Sequence, residues 1–106
     1  MNVDVLAFSA HPDDAEIFAG GTLAWFSRHG YRIGLVHLTR GEAGTRGTPE
    51  LRLIEAQAAG QALGASHVEV LDLGDGRLSD SSIVREAIVR CLRSLRPNVI
   101  LSPLDR

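Results

Sequence analysis

Three ionisable side chains stand close together directly after the first apolar run of the chain. His11, Asp13 and Asp14 fall within four residues, and the apolar run Val5–Phe8 precedes them. In an ordinary turn these groups would repel one another or lose hydration, and Pro12 also removes a backbone donor. A divalent cation resolves this conflict, since a histidine and an aspartate three positions apart can both turn toward one ion. The remaining carboxylate is then available for proton transfer, so the segment predicts a metal site with an adjacent acid or base.

The elements around this cluster alternate between strand and helix patterns. Strands are predicted over 3–9, 33–38 and 68–73, and a fourth begins over 99–101. Helices are predicted over 15–29, from Pro49 to the residue before Gly64, and over 82–95. Strands joined by single helices favour right-handed crossovers and an α/β, doubly wound, Rossmann-like sheet that is mostly parallel and has helices on both faces. Ligands bind beyond the carboxyl ends of such strands, which is where the cluster falls.

Local signals define the ends of the first two helices. Gly30 is placed to end the first helix as a left-handed residue, and Gly64 follows the second. The second helix has Thr48 as its predicted N-cap and Pro49 at its first position. Its predicted inward stripe consists of Leu51, Ile54, Ala58 and Ala62.

Composition limits the partners of the chain. Residues 1–106 are interpreted as the N-terminal part of a single domain, and this part is expected to stop after the fourth strand of a larger sheet. A formal charge of −2 argues against a nucleic-acid partner, which would call for a clustered basic face. The arginines of the third helix alternate with apolar positions and are predicted to form a solvated outer face: Arg85, Arg90, Arg93 and Arg96. Cys91 lies on the apolar stripe of that helix and is predicted to be a small buried residue.

The chain has no apolar run of membrane-spanning length and opens on a strand pattern. We therefore expect no membrane partner and a cytoplasmic location. A dinucleotide-binding module is one alternative for a doubly wound sheet, but it requires Gly-x-Gly-x-x-Gly after the first strand. Here Gly20 and Gly21 come too late, and their simplest interpretation is close helix packing or a helix irregularity.

Three motifs together carry a resemblance to a known family. They are AHPDDAE at 10–16, LTRGE at 38–42 and GTPELR at 47–52. This combination resembles the LmbE-like (PIG-L) family of zinc-dependent N-acetylglucosamine deacetylases. The second and third motifs are most similar to the bacillithiol-biosynthesis branch of that family.

The resemblance implies a role for each matching residue. His11 and Asp14 would be metal ligands, Asp13 the general base and Arg52 a substrate-binding residue. The third metal ligand of the family is a histidine in a motif after the fourth strand, so it is expected beyond Arg106. The implied cofactor is Zn²⁺, although another divalent transition metal remains possible. Since a catalytic zinc usually takes three protein ligands, residues 1–106 alone are expected to be inactive.

The other histidines are predicted to have structural roles. His29 ends the first helix and His67 begins the third strand, so both lie at the edge away from the strand carboxyl ends. His37 lies near the carboxyl end of the second strand and is predicted to be a hydrogen-bonded sheet residue. No role is assigned to Asp72, Asp75 or Arg77.

The sequence as a whole predicts a metal-dependent amide hydrolase. Its substrate would be a small N-acetylglucosamine conjugate such as N-acetylglucosaminyl malate, and the loop of Gly41, Gly44 and Gly47 would either face that substrate or form a mobile connection. A nucleotide-binding module and a non-catalytic assembly fragment remain as alternatives. A homo-oligomer is expected, because an exposed fourth-strand edge invites association.

Overall fold

The computed structural model describes residues 2–9, 14–39, 48–73 and 81–102. Its elements are β1 (Val5–Ser9), α1 (Asp14–Arg28), β2 (Ile33–His37), α2 (Pro49–Ala62), β3 (His67–Val70), α3 (Ser82–Leu95) and β4 (Val99–Leu101). The predicted alternation of strands and helices is confirmed. β3 is shorter than predicted, but the chain continues beside β2, since the Leu71 and Leu73 amides donate to the carbonyls of His37 and Leu38 at 2.7 and 3.1 Å.

The four strands form one parallel sheet in the order β3-β2-β1-β4. Val5 of β1 is in register with Ile33 of β2 on one side and with Val99 of β4 on the other. The chain therefore moves outward from β1 to β3 and then returns to the opposite side of β1. The strand order reverses between β1 and β4, and this reversal is the topological switch point of a doubly wound sheet.

Side chains of β1 alternate between the two faces of the sheet, and helices cover both faces. Val5 and Ala7 belong to a buried cluster with Leu23 of α1. Leu6 and Phe8 point the other way and pack in a cluster with residues of α3 that include Cys91 and Leu95. The predicted two-sided cover of the sheet is confirmed.

The predicted inward face of α2 is wrong. Ile54 and Leu51 of the expected stripe are 65% and 46% exposed, whereas Ala56 and Gly60 are buried. A Cβ atom on Gly60 would overlap the side chain of Val68 in β3. The helix thus approaches the sheet too closely for large side chains, and small residues form its inward face.

Helix ends follow the local signals of the sequence. The Leu51 amide donates to Thr48 Oγ1 at 3.1 Å, which confirms the predicted N-cap of α2. Gly30 has a φ angle of 86°, as its predicted left-handed position requires, and Gly64, which follows α2 as predicted, has a φ angle of 81°. Arg96 also adopts a left-handed conformation, with φ of 48°, at the end of α3.

The described residues also test several smaller predictions. Within the described residues nothing packs closely against Gly20 or Gly21, because a Cβ atom on either glycine would meet no described atom within 4 Å. Cys91 is buried, as expected. All four arginines of the predicted solvated face are exposed. Within the described part of the chain, no helix is both long and apolar enough to cross a membrane.

Candidate metal and substrate site

The predicted functional segments leave the sheet at one edge. Ser9, the last residue of β1, is in register with His37, the last residue of β2, and His37 is in register with Val70 at the end of β3. The chain segments that follow these strands are 10–13, 40–47 and 74–80, and they lie outside the described residues. Because parallel strands end at the same edge, the first two motif segments begin side by side.

The structure describes the predicted site residues only in part. His11 and Asp13 lie outside the described residues. Asp14 is the first residue of α1 and Arg52 lies in the first turn of α2, but the side chains of both are also outside the described part. Their roles therefore remain predictions. Among the residues without an assigned role, Asp72 is exposed, and Asp75 and Arg77 are not described.

Two helix amino termini contribute to the electrostatics of this edge. α1 begins at Asp14 and α2 begins at Pro49, and each helix returns the chain from the carboxyl edge to the start of the next parallel strand. Both helices therefore present their amino termini at the carboxyl edge. The helix dipole places positive potential there, which favours anionic side chains and anionic parts of a ligand.

A buried polar cluster lies at the same edge of the sheet. Ser9 and His37 are 1% and 0% exposed, and Ser9 Oγ lies 2.5 Å from His37 Nδ1. Thr39, two residues further along the chain, is also fully buried. The prediction that His37 is a hydrogen-bonded sheet residue is confirmed. Neither Ser9 nor Thr39 was predicted from the sequence to be part of a site. For Ser9, the available signal was its position as the polar last residue of an otherwise apolar strand.

The other two histidines lie where the sequence predicted. His29 is exposed just after α1, where its Nδ1 lies 2.8 Å from the Trp25 carbonyl oxygen and its ring stacks on the Trp25 ring at 4.0 Å. His67 begins β3, and its Nε2 lies 3.0 Å from Glu69 Oε1. Over 2–9, 14–39, 48–73 and 81–102, no three histidine, cysteine, aspartate or glutamate side chains are grouped so that they could hold a metal ion.

The donor chemistry of the motif nevertheless fits zinc. An imidazole and a carboxylate, which His11 and Asp14 would supply, are both common zinc ligands. Their segment directly follows β1, which borders the switch point of the sheet. Fold and motif together define a class of Rossmann-like α/β protein in which the ligand site lies beyond the central strands.

Comparison with known proteins identifies the family. The model of the PIG-L family, described as GlcNAc-PI de-N-acetylase, matches residues 6–106. The chain belongs to this family. The resemblance seen in the three sequence motifs is thereby confirmed.

Sequence and structural similarity to individual proteins supports this family assignment. The chain is 35% identical to the diacetylchitobiose deacetylase of Thermococcus kodakarensis, over 93% of its own length and 40% of the relative. The crystal structure of the conserved protein TT1542 from Thermus thermophilus superimposes with a TM-score of 0.92 at 42% identity, covering 98% of this chain and 48% of that one. The chain thus spans less than half the length of either relative.

A third relative has a different activity. GalB, the 4-carboxy-2-hydroxymuconate hydratase from Pseudomonas putida, superimposes with a TM-score of 0.80 at 29% identity, covering 94% of this chain and 46% of GalB. The fold is therefore shared by proteins that catalyse different reactions, and function has to be argued from the site.

Proposed function

We propose that the protein containing this chain is a metal-dependent amide hydrolase that removes the acetyl group from an N-acetylglucosamine conjugate. The observation that carries the proposal is the His-Pro-Asp-Asp motif that follows β1, a strand bordering the switch point of the sheet, in a member of the PIG-L family. The description of that family and the name of the Thermococcus kodakarensis relative both support an N-acetylated amino sugar as substrate.

His11 and Asp14 would hold the metal, together with a third protein ligand from residues beyond Arg106. We propose zinc as this metal. When bound, zinc lowers the pKa of a coordinated water and polarises an amide carbonyl. The backbone of Asp14 at the start of α1 keeps this proposed ligand at the carboxyl edge, where the anionic carboxylate is also favoured by the helix dipole.

Asp13 would act as the general base of the reaction. Its carboxylate accepts a proton from the attacking water, and the carbon–nitrogen bond of the amide then breaks. Asp13 passes the proton to the departing amine, so that acetate and a free amino sugar leave the site. An aspartate beside a cation stays ionised at neutral pH, which this role requires.

Arg52 would bind the part of the substrate that is not acetylated. Its backbone lies in the first turn of α2, which begins at the carboxyl edge. The planar guanidinium can donate two parallel hydrogen bonds to a carboxylate, and malate attached to the sugar offers such a group. This chemistry supports an N-acetylglucosaminyl malate over a neutral disaccharide.

The proposal is tested by measuring acetate release by the full-length protein. Three substrates separate the possibilities: N-acetylglucosaminyl malate, an N-acetylglucosaminyl inositol and diacetylchitobiose. We expect release that requires zinc, stops with a chelator and is fastest with the malate conjugate. Release that is equally fast after complete metal removal would contradict the metal mechanism. Absence of acetate from all three substrates would contradict the proposed deacetylase function.

A further inference from the structure

We infer that Ser9 and His37 form a positioning pair, which fixes the end of β1 relative to the end of β2. This inference rests on the proposed function, because it assigns the pair an effect on the proposed metal site. Ser9 stands two residues before His11 in the chain, and His37 stands three residues before the loop that begins at Arg40. The pair thus links the two strand ends after which the two motif segments follow.

The geometry of the pair is that of a buried cross-strand link. Ser9 and His37 are direct partners in the register of β1 and β2, so their side chains lie on the same face of the sheet. Ser9 Oγ and His37 Nδ1 are 2.5 Å apart, and both residues are essentially inaccessible to solvent. A buried hydrogen bond is stronger than an exposed one, because water does not compete for it.

Packing alone does not explain polar residues at this place. Val5–Phe8 of β1 and Ile33–Val36 of β2 are apolar or glycine, and the polar residues occur only at the last position of each strand. A hydrogen bond adds a preferred distance and direction between the two strand ends, which apolar contacts do not supply.

Backbone hydrogen bonds extend the link across the edge. The Leu38 amide donates to the Ser9 carbonyl at 2.8 Å, and the Leu71 amide donates to the His37 carbonyl at 2.7 Å. The ends of β1, β2 and β3 are thus connected through main chain as well as side chains. A shift of the Ser9 backbone would have to break both its side-chain bond to His37 and its main-chain bond to Leu38, so the end of β1 is held in place.

Zinc affinity measured with a competing chromophoric chelator tests the inference without relying on turnover. In the full-length protein, Ser9→Ala removes the hydroxyl and keeps the backbone. We expect zinc affinity to fall about 10- to 100-fold, as when the groups that orient metal ligands are removed. Ser9→Thr retains a hydroxyl and is expected to recover most of the affinity.

Val5→Ala is the matched control, because Val5 is 1% exposed and lies on the same strand and face but at the opposite end. It should lower thermal stability and leave zinc affinity unchanged.

The double variant Ser9→Ala/His37→Leu replaces both polar groups by apolar ones. We expect its zinc affinity to stay as low as that of Ser9→Ala.

The outcomes separate this inference from the proposed function. If Ser9→Ala and Val5→Ala change zinc affinity equally, or if the double variant binds zinc like the wild type, the pair is only structural and the inference is overturned. The deacetylase proposal would stand in that case. If the wild type itself neither binds zinc nor releases acetate, the proposed function fails and the inference fails with it.

Discussion

Gly60 of α2 lies so close to Val68 of β3 that a Cβ atom added to the glycine would overlap the Val68 side chain. Val68 is β-branched and has few alternative rotamers, so it cannot easily turn away. The same helix turns Ile54 outward, where it is 65% exposed. The contact between Gly60 and Val68 therefore sets both the distance and the rotation of α2, whose first turn contains Arg52.

Gly60→Ala is expected to destabilise the protein by about 1–2 kcal/mol. Overpacking costs about 1–3 kcal/mol, and alanine recovers up to about 1 kcal/mol through its helix propensity. Gly21→Ala is the control, because Gly21 is exposed in α1 and a Cβ atom there meets no described atom within 4 Å. It should stabilise by up to about 1 kcal/mol. Chemical denaturation measures both, and equal stabilisation by the two variants would contradict the close contact.

Arg96→Gly is expected to raise the free energy of unfolding by up to about 1 kcal/mol, because glycine adopts the left-handed conformation without strain. Arg96 has φ of 48° at the end of α3, and Arg93 occupies the last turn of the same helix. Arg93→Gly makes the same chemical change in helical backbone and should lower stability by about 1 kcal/mol. Thermal or urea unfolding compares them. A loss of stability in both variants would argue against backbone strain at Arg96.

Stability should fall in alkaline solution through Cys91. Burial raises the pKa of the Cys91 thiol, the negative charge of Glu69 raises it further, and Arg90 opposes the shift. The folded protein therefore retains the thiol proton at pH values where the unfolded chain, with a pKa of about 8.5, has lost it. Below that value the group adds no pH dependence, and above it stability declines until the folded thiol also ionises.

Urea unfolding of the wild type and Cys91→Ala between neutral and alkaline pH measures this effect. The wild type should lose stability more steeply than the variant above the thiol pKa of the unfolded chain. Parallel pH profiles would show that Cys91 is not the responsible group.

The two neighbouring aspartates of the motif are expected to differ in their effects on the full-length enzyme. Asp14→Ala should lose the metal, because a ligand is removed. Asp13→Ala should keep the metal and lose about 10²- to 10⁴-fold in turnover, as expected for a missing general base. Metal analysis and acetate release, measured on the same samples, test the assignment. Equal loss of metal from both variants would refute it.

Arg52→Lys is expected to weaken substrate binding more than chemistry. Lysine keeps the charge but lacks the planar pair of donors that holds a carboxylate. KM for an N-acetylglucosaminyl malate should rise with a smaller change in kcat, while KM for diacetylchitobiose, which has no carboxylate, should change less. Identical kinetics of the variant and the wild type on the malate conjugate would assign Arg52 a purely structural role.

Much of the fold could be predicted because its signals are local. Thr48 and Pro49 mark the start of α2, Gly30 occupies the left-handed position that the sequence indicated, and Gly64 follows the end of α2 as predicted. The observed bounds of α3 also match the prediction. Local capping chemistry and hydrophobic periodicity are sufficient for such features.

Features that depend on contacts between distant segments could not be predicted in the same way. The inward face of α2 was mistaken, because hydrophobic periodicity selects the larger apolar residues and contains no information on how closely Gly60 approaches Val68. Ser9 alone resembles an ordinary strand terminus. It becomes notable only through its register with His37, which lies 28 residues away in the chain.

The position of β1 at the centre of the described sheet has a consequence for folding. Val5 pairs with Ile33, its partner across a single helix, but it also pairs with Val99 near the end of the described chain. The entropy cost of loop closure grows with sequence separation, and such distant pairings form slowly. We therefore expect β1, α1 and β2 to assemble first and β4 to dock later. The pairing of β1 with β4 at the switch point would then be among the last parts of the described sheet to form.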